Sequence, residues 1–129
     1  MKTLTPLDTV KAYFAATRAM DRAAWVGCFA ENGSSCDPAN APPHSGHAAL
    51  GAFFDSIVGL TKTVGLFEDK VYACGNEIAV KWTGRGIGKQ NGKPFVFEGI
   101  DVFDIDERGK IRTLRAYWDP EQLMAQLGS

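Results

Sequence analysis

Neither sign of charge predominates in this chain: fourteen lysines and arginines stand against fifteen aspartates and glutamates in 129 residues, and neither sign forms a run. The broad positive field that holds a phosphate backbone is therefore missing, and no nucleic acid partner is expected. Long hydrophobic runs are missing too. No stretch approaches the roughly 20 apolar residues that cross a bilayer, and the opening MKTLTPLDTV lacks the apolar centre of a signal peptide. We expect a cytoplasmic protein with no membrane contact. Cysteine is scarce: Cys28, Cys36 and Cys74 are odd in number and none has C-x-x-C spacing, which speaks against a disulfide framework and a zinc knuckle. Histidine is scarcer. His44 and His47 fall in the loop-like run PPHSGH with no third ligand-rich cluster beside them, so neither a metal nor a cofactor is expected.

What is present is a core. The chain is 45% hydrophobic and 22% charged, the mixture of one compact domain spanning residues 1–129 and long enough to bury a sizeable interior. Thr5 and Pro6 read as the cap and first residue of a helix, with Asp8 in the first turn where the helix dipole favours an acid. Leu7, Val10, Tyr13, Phe14, Thr17 and Met20 then recur at helical steps as one buried stripe. Asp21 caps a shorter helix with Trp25, Cys28 and Phe29 inward, and ENGSS breaks it. A short extended piece over 35–38 follows, because a residue before proline is pushed towards β geometry, and ANAPPHSG reads as a loop. Leu50, Phe53, Phe54, Ile57 and Val58 mark a third helix after Ser45 and Gly46.

Beyond Thr61 the period changes from helical to alternating. Residues 63–74, 77–87, 95–105 and 110–118 read as strands joined by CGN, GKQNGKP and DERGK. The glycines of TGRGIGKQNG do not lie between a strand and a helix, so they are hairpin glycines and not a phosphate loop. Helices first and then an antiparallel meander predict an α+β fold: a curved, mostly antiparallel sheet wrapped around the N-terminal helices and enclosing an apolar pocket.

One residue fits that pattern badly. Alternation along FVFEGIDVFDI puts Phe95, Phe97, Gly99, Asp101, Phe103 and Ile105 on one face, a lone carboxylate among phenylalanines. A buried, unpaired carboxylate costs several kcal/mol, so Asp101 needs a reason. An ion pair with Arg112 or Arg115 on the next strand is the purely structural one. Tyr13, on the inner stripe of the first helix, needs a partner for its hydroxyl, and Asp37, before Pro38, belongs to a part of the chain that opens towards the same hollow. Each alone reads as a core tyrosine or a turn aspartate. Together they form the constellation of a binding or active site.

The stretches YFAATRAMD, CDPANAPPHSG, GIDVFDIDERGKI and LRAYWDPEQL, in that order, resemble the bacterial ketosteroid isomerases of the nuclear-transport-factor-like, cone-shaped α+β superfamily, over about residues 10–123. The resemblance implies that Asp37 is a general base and that Tyr13 and Asp101 are the two donors of an oxyanion hole, Asp101 as the neutral, hydrogen-bond-donating carboxyl known from that family. It also implies Phe54, Phe103 and Trp118 as walls for a small apolar enone or steroid, no cofactor, and a homodimer formed through the outer sheet surface. Burial raises an acid's pKa by up to ~3 to 5 units, which supplies the cause for a protonated Asp101. A wetter Asp37 is expected to stay ionised. Phe29 and Phe54 stand where some members carry further tyrosines behind the catalytic one, and Gly99 and the loop ANAPPHSG are expected to reshape the mouth. Two rival functions share the scaffold: a non-catalytic carrier of an apolar ligand, and an epoxide hydrolase or polyketide cyclase, which an arginine such as Arg85 or Arg115 buried beside Asp101 would indicate.

Overall fold

The computed structural model describes residues 4–128. Helix α1 (Pro6–Ala19) opens with a capping box: Thr5 Oγ1 accepts from the Asp8 amide at 3.1 Å while Asp8 accepts from the Thr5 amide at 3.3 Å. It stops at Met20, whose left-handed backbone (φ 53°) turns its N–H back onto the Ala16 and Thr17 carbonyls. Asp21 caps α2 (Arg22–Gly27) through the Ala24 amide. The strands are β1 (Phe29–Cys36), β2 (His44–Ser45), β3 (Thr61–Cys74), β4 (Glu77–Gly88), β5 (Pro94–Ile105) and β6 (Ile111–Trp118). Helix α3 (Gly46–Val58) lies between β2 and β3, and α4 (Pro120–Leu127) ends the fold, capped by Asp119.

The six strands form one sheet in the order β2-β1-β6-β5-β4-β3. Strands β3 to β6 are the antiparallel meander read from the sequence, with Val80 opposite Asp101 and Asp101 opposite Ala116. The β1–β6 pair is parallel. Helix α1 packs on β3 and β4, α3 on β1, and α4 on β5, so the concave face of the sheet is covered and its outer face is left open. Phe14, Phe29, Trp82, Phe103, Ile111 and Leu114 fill the space between. Among the described residues no helix is long and apolar enough to cross a membrane.

Several readings of the chain are corrected. Residues 31–35 do not break a helix; they lie inside β1, and Phe29 starts that strand. The glycine in ENGSS explains this: the β1–β6 register slips between Phe29 and Ser34, and a Cβ on Gly33 would stand 2.7 Å from the Ile111 carbonyl oxygen. Leu7 is 40% exposed and so lies off the buried stripe, where Thr9 and Ala16 stand instead. Helix α4 has no counterpart among the elements read from the sequence; the Asp-Pro pair that caps it was its signal.

Candidate active site

The cavity lies between the concave face of the sheet and the three N-terminal helices. Its volume is about 80 Å³. Tyr13 reaches it from α1, Trp25 from α2, Phe53 and Phe54 from α3, Trp82 from β4, Phe97 and Asp101 from β5, and Trp118 from the end of β6. Asp37 reaches it from the residue after β1, a segment held to β6 by the bond from the Ala39 amide to the Ala116 carbonyl at 2.7 Å. Tyr13, Asp37 and Asp101 therefore line one hollow that is otherwise almost wholly apolar.

Burial along β5 alternates as its sequence implies, with Phe95, Phe97, Asp101, Phe103 and Ile105 inward. Asp101 is only 1% exposed, and neither of its carboxylate oxygens has a hydrogen-bond partner. Its neighbours across the strands, Val80 and Ala116, are apolar. The arginines that offered an ion pair are elsewhere: Arg115 and Arg85 are exposed, and Arg112 pairs with Asp104 at 3.6 Å. Burial first, and the charge of Asp37 second, hold the Asp101 pKa well above the usual carboxylate range; the Trp82 indole opposes them. Burial among apolar neighbours thus favours the protonated form of the Asp101 carboxyl.

Asp37 has a different environment. Its carboxylate accepts from Trp118 Nε1 at 2.5 Å. Burial pushes its pKa up to about 6, and the indole donor holds it from rising further. At neutral pH it is mostly ionised, and a base that titrates close to the working pH is well matched to proton transfer. The Tyr13 hydroxyl is likewise held well above its ordinary value, by burial first and then by the charges of Asp101 and Asp37, with the Trp25 indole opposing. Two groups whose protonated forms burial favours, Tyr13 and Asp101, consequently share the cavity with Asp37.

Phe54 and Trp118 line it, and Phe103 does not. Phe103 lies fully buried behind the wall, edge-on to Tyr13 with ring centroids 5.0 Å apart, because its place two residues past Asp101 on the inward face carries it into the core under α1. Phe29 and Phe54 surround Trp25, whose ring centres lie 4.9 and 5.2 Å from theirs. The indole of Trp25 stands 5.7 Å from the Tyr13 ring and is the side chain that meets its phenol where hydroxyls are lacking. The sequence reading missed Trp25 and Trp82 as site residues. For Trp82 the signal was present, since alternation along β4 turns Ile78, Val80 and Trp82 to the same buried face.

The fold has close relatives among solved structures. The chain superposes with a TM-score of 0.81 on the epoxide hydrolase/cyclase-like enzyme SalBIII of pyran ring formation in the polyether salinomycin, at 26% identity over 91% of this chain and 92% of that one. A protein of ketosteroid isomerase-like fold from Catenulispora acidiphila, in complex with trimethylamine, gives a TM-score of 0.82 at 20% identity over 97% and 95% of the two chains. A candidate polyketide cyclase from Xanthomonas campestris pv. campestris gives 0.81 at 22% identity over 95% and 96%. These likenesses establish the ketosteroid isomerase-like cone fold. The SnoaL-like domain matches residues 10–114, which take in most of the sheet and the cavity-lining Tyr13, Asp37 and Asp101, and the chain belongs to the SnoaL-like domain family.

Proposed function

We propose that the protein is an acid–base isomerase that moves a carbon–carbon double bond from the β,γ to the α,β position of an apolar ketone, of steroid type or smaller. Asp37 removes the proton from the carbon between the carbonyl and the double bond. The electron pair released makes a dienolate whose oxygen accepts hydrogen bonds from Tyr13 and from neutral Asp101. Asp37 then returns the same proton to the γ carbon, restoring the carbonyl and leaving a conjugated enone, with no cofactor consumed. The observation that carries this reading is the burial of Asp101 beside no cation, in the same apolar cavity as Asp37 and Tyr13. The test is to offer a β,γ-unsaturated 3-ketosteroid and follow the ultraviolet absorbance of the conjugated product with wild type and Asp37→Asn. Turnover that collapses in the variant while ligand binding survives supports the proposal. Equal signals from both proteins, or none from either, defeat it.

The 26% identity to an epoxide hydrolase/cyclase-like enzyme favours a second reading. In it Asp101 or Tyr13 gives a proton to an epoxide oxygen while Asp37 takes one from the attacking hydroxyl, using the same split between acid and base. A hydroxy-epoxide offered in parallel separates the two. A carrier without turnover would bind both probes and convert neither. The outer sheet face exposes Tyr72, Ile100 and Tyr117, and we assign it to a second copy of the chain; sedimentation at the monomer mass would reject that assignment.

A further inference from the structure

Trp82 is the buried group that the proposed reaction leaves without a role. It is 2% exposed, it lines the cavity, and its Nε1–H has no hydrogen-bond partner. An indole N–H can only donate, and a buried donor left unpaired costs on the order of 1 to 3 kcal/mol. Both oxygens of Asp101 are orphaned in the same way. The two residues are close for a reason visible in the register: Trp82 sits opposite Gly99, two residues before Asp101 on the same inward face. The indole edge occupies the place of the side chain that Gly99 lacks, since a Cβ there would stand 2.6 Å from Trp82 Cζ2, the ring atom one bond from the carbon that carries Nε1. Gly99 therefore makes room for the indole next to the carboxyl.

We infer that Trp82 is a positioning residue whose Nε1–H donates to one oxygen of Asp101 and so turns the other oxygen towards the bound ligand. A neutral carboxyl has one carbonyl oxygen that can only accept and one hydroxyl that can donate. Pairing the carbonyl oxygen with the indole satisfies two orphans at once. It also places the proton on the oxygen that faces the cavity, where a ligand carbonyl can receive it. This inference rests on the acid–base reading of the site, but only its second test depends on turnover.

The chain has three tryptophans, all of them lining the cavity, so a ¹H–¹⁵N spectrum shows three indole resonances, assignable by single substitutions. In the unliganded protein, Asp101→Ala should move the Trp82 Nε1–H resonance further than those of Trp25 and Trp118. A Trp82 resonance that stays in place overturns the inference. It is overturned equally if that resonance moves only when 2-naphthol is added, for then the indole serves the ligand and not Asp101. In the kinetic arm, Trp82→Phe keeps an aromatic ring, smaller than the indole, and removes the donor. It should lower kcat about tenfold with KM little changed, the worth of one net hydrogen bond. A raised KM with unchanged kcat would instead mark Trp82 as a wall residue and defeat the inference. Should Trp82→Phe fail to fold, the resonance of Trp82 in Asp101→Ala still decides. Should the wild type show no isomerase activity, the proposed reaction falls and the spectrum still tests the bond.

Discussion

Trp118 Nε1 donates to Asp37 Oδ1 across 2.5 Å, joining the last residue of β6 to the residue that follows β1. Two effects meet at that carboxylate: burial raises its pKa and the indole lowers it, and burial wins by enough to leave it at about 6. The bond also fixes one oxygen of a carboxylate that lines the cavity.

The rate should follow that ionisation. Activity, as kcat/KM, is expected to rise with pH and level off above about 6, because only ionised Asp37 accepts a proton. Trp118→Phe removes the influence that lowers the pKa, so the rising limb should move to higher pH. A pH–rate profile of both proteins checks the sign, and a limb that moves to lower pH would contradict the assignment of Asp37.

The two donors should be separable from the base. Tyr13→Phe and Asp101→Ala are each expected to lower kcat by about 10² to 10³, the loss found when one oxyanion donor is removed. Asp37→Asn should cost on the order of 10² to 10⁴. Affinity for a phenol such as 2-naphthol, measured by fluorescence, should fall in the first two variants and persist in the third.

Stability should run against activity. The Asp37 pKa is raised on folding, from 3.8 to about 6, so the folded state binds the proton more tightly than the unfolded chain. Its contribution is fully present below pH 3.8 and is lost as pH rises through about 6, a loss of at most about 3 kcal/mol. Asp101, whose pKa is also raised by burial, adds to the loss of stability with rising pH. Denaturant unfolding at several pH values should show the slope, and Asp37→Asn should flatten its lower part and stabilise the protein at neutral pH.

Phe103 and Phe54 should respond differently to truncation. Phe103 is fully buried against Tyr13 and Phe14, so Phe103→Ala should cost about 3 to 5 kcal/mol of folding stability. Phe54 lines the cavity, so Phe54→Ala should change ligand affinity by a larger factor than Phe103→Leu does. Thermal melts and a binding titration on the same variants separate wall from core.

The sequence by itself determined the elements and the inward faces. Period-two alternation is a local property of the chain, so it placed Asp101 among buried phenylalanines before any contact was known, and the Thr5–Pro6 pair located the start of α1. Gly33 and the exposed Leu7 escaped that reading, since a register slip against β6 and the angle at which α1 meets the sheet depend on distant partners. What only the tertiary structure decided is which groups face one another. That Asp101 has no arginine, that Asp37 meets Trp118, that Phe103 lies behind the cavity wall, and that Trp82 leans across Gly99 are relations between segments far apart in the chain. Burial and charge act through space over a few ångströms, and sequence spacing records neither, so the protonation states on which the proposed chemistry depends emerge only once the sheet has closed over the helices.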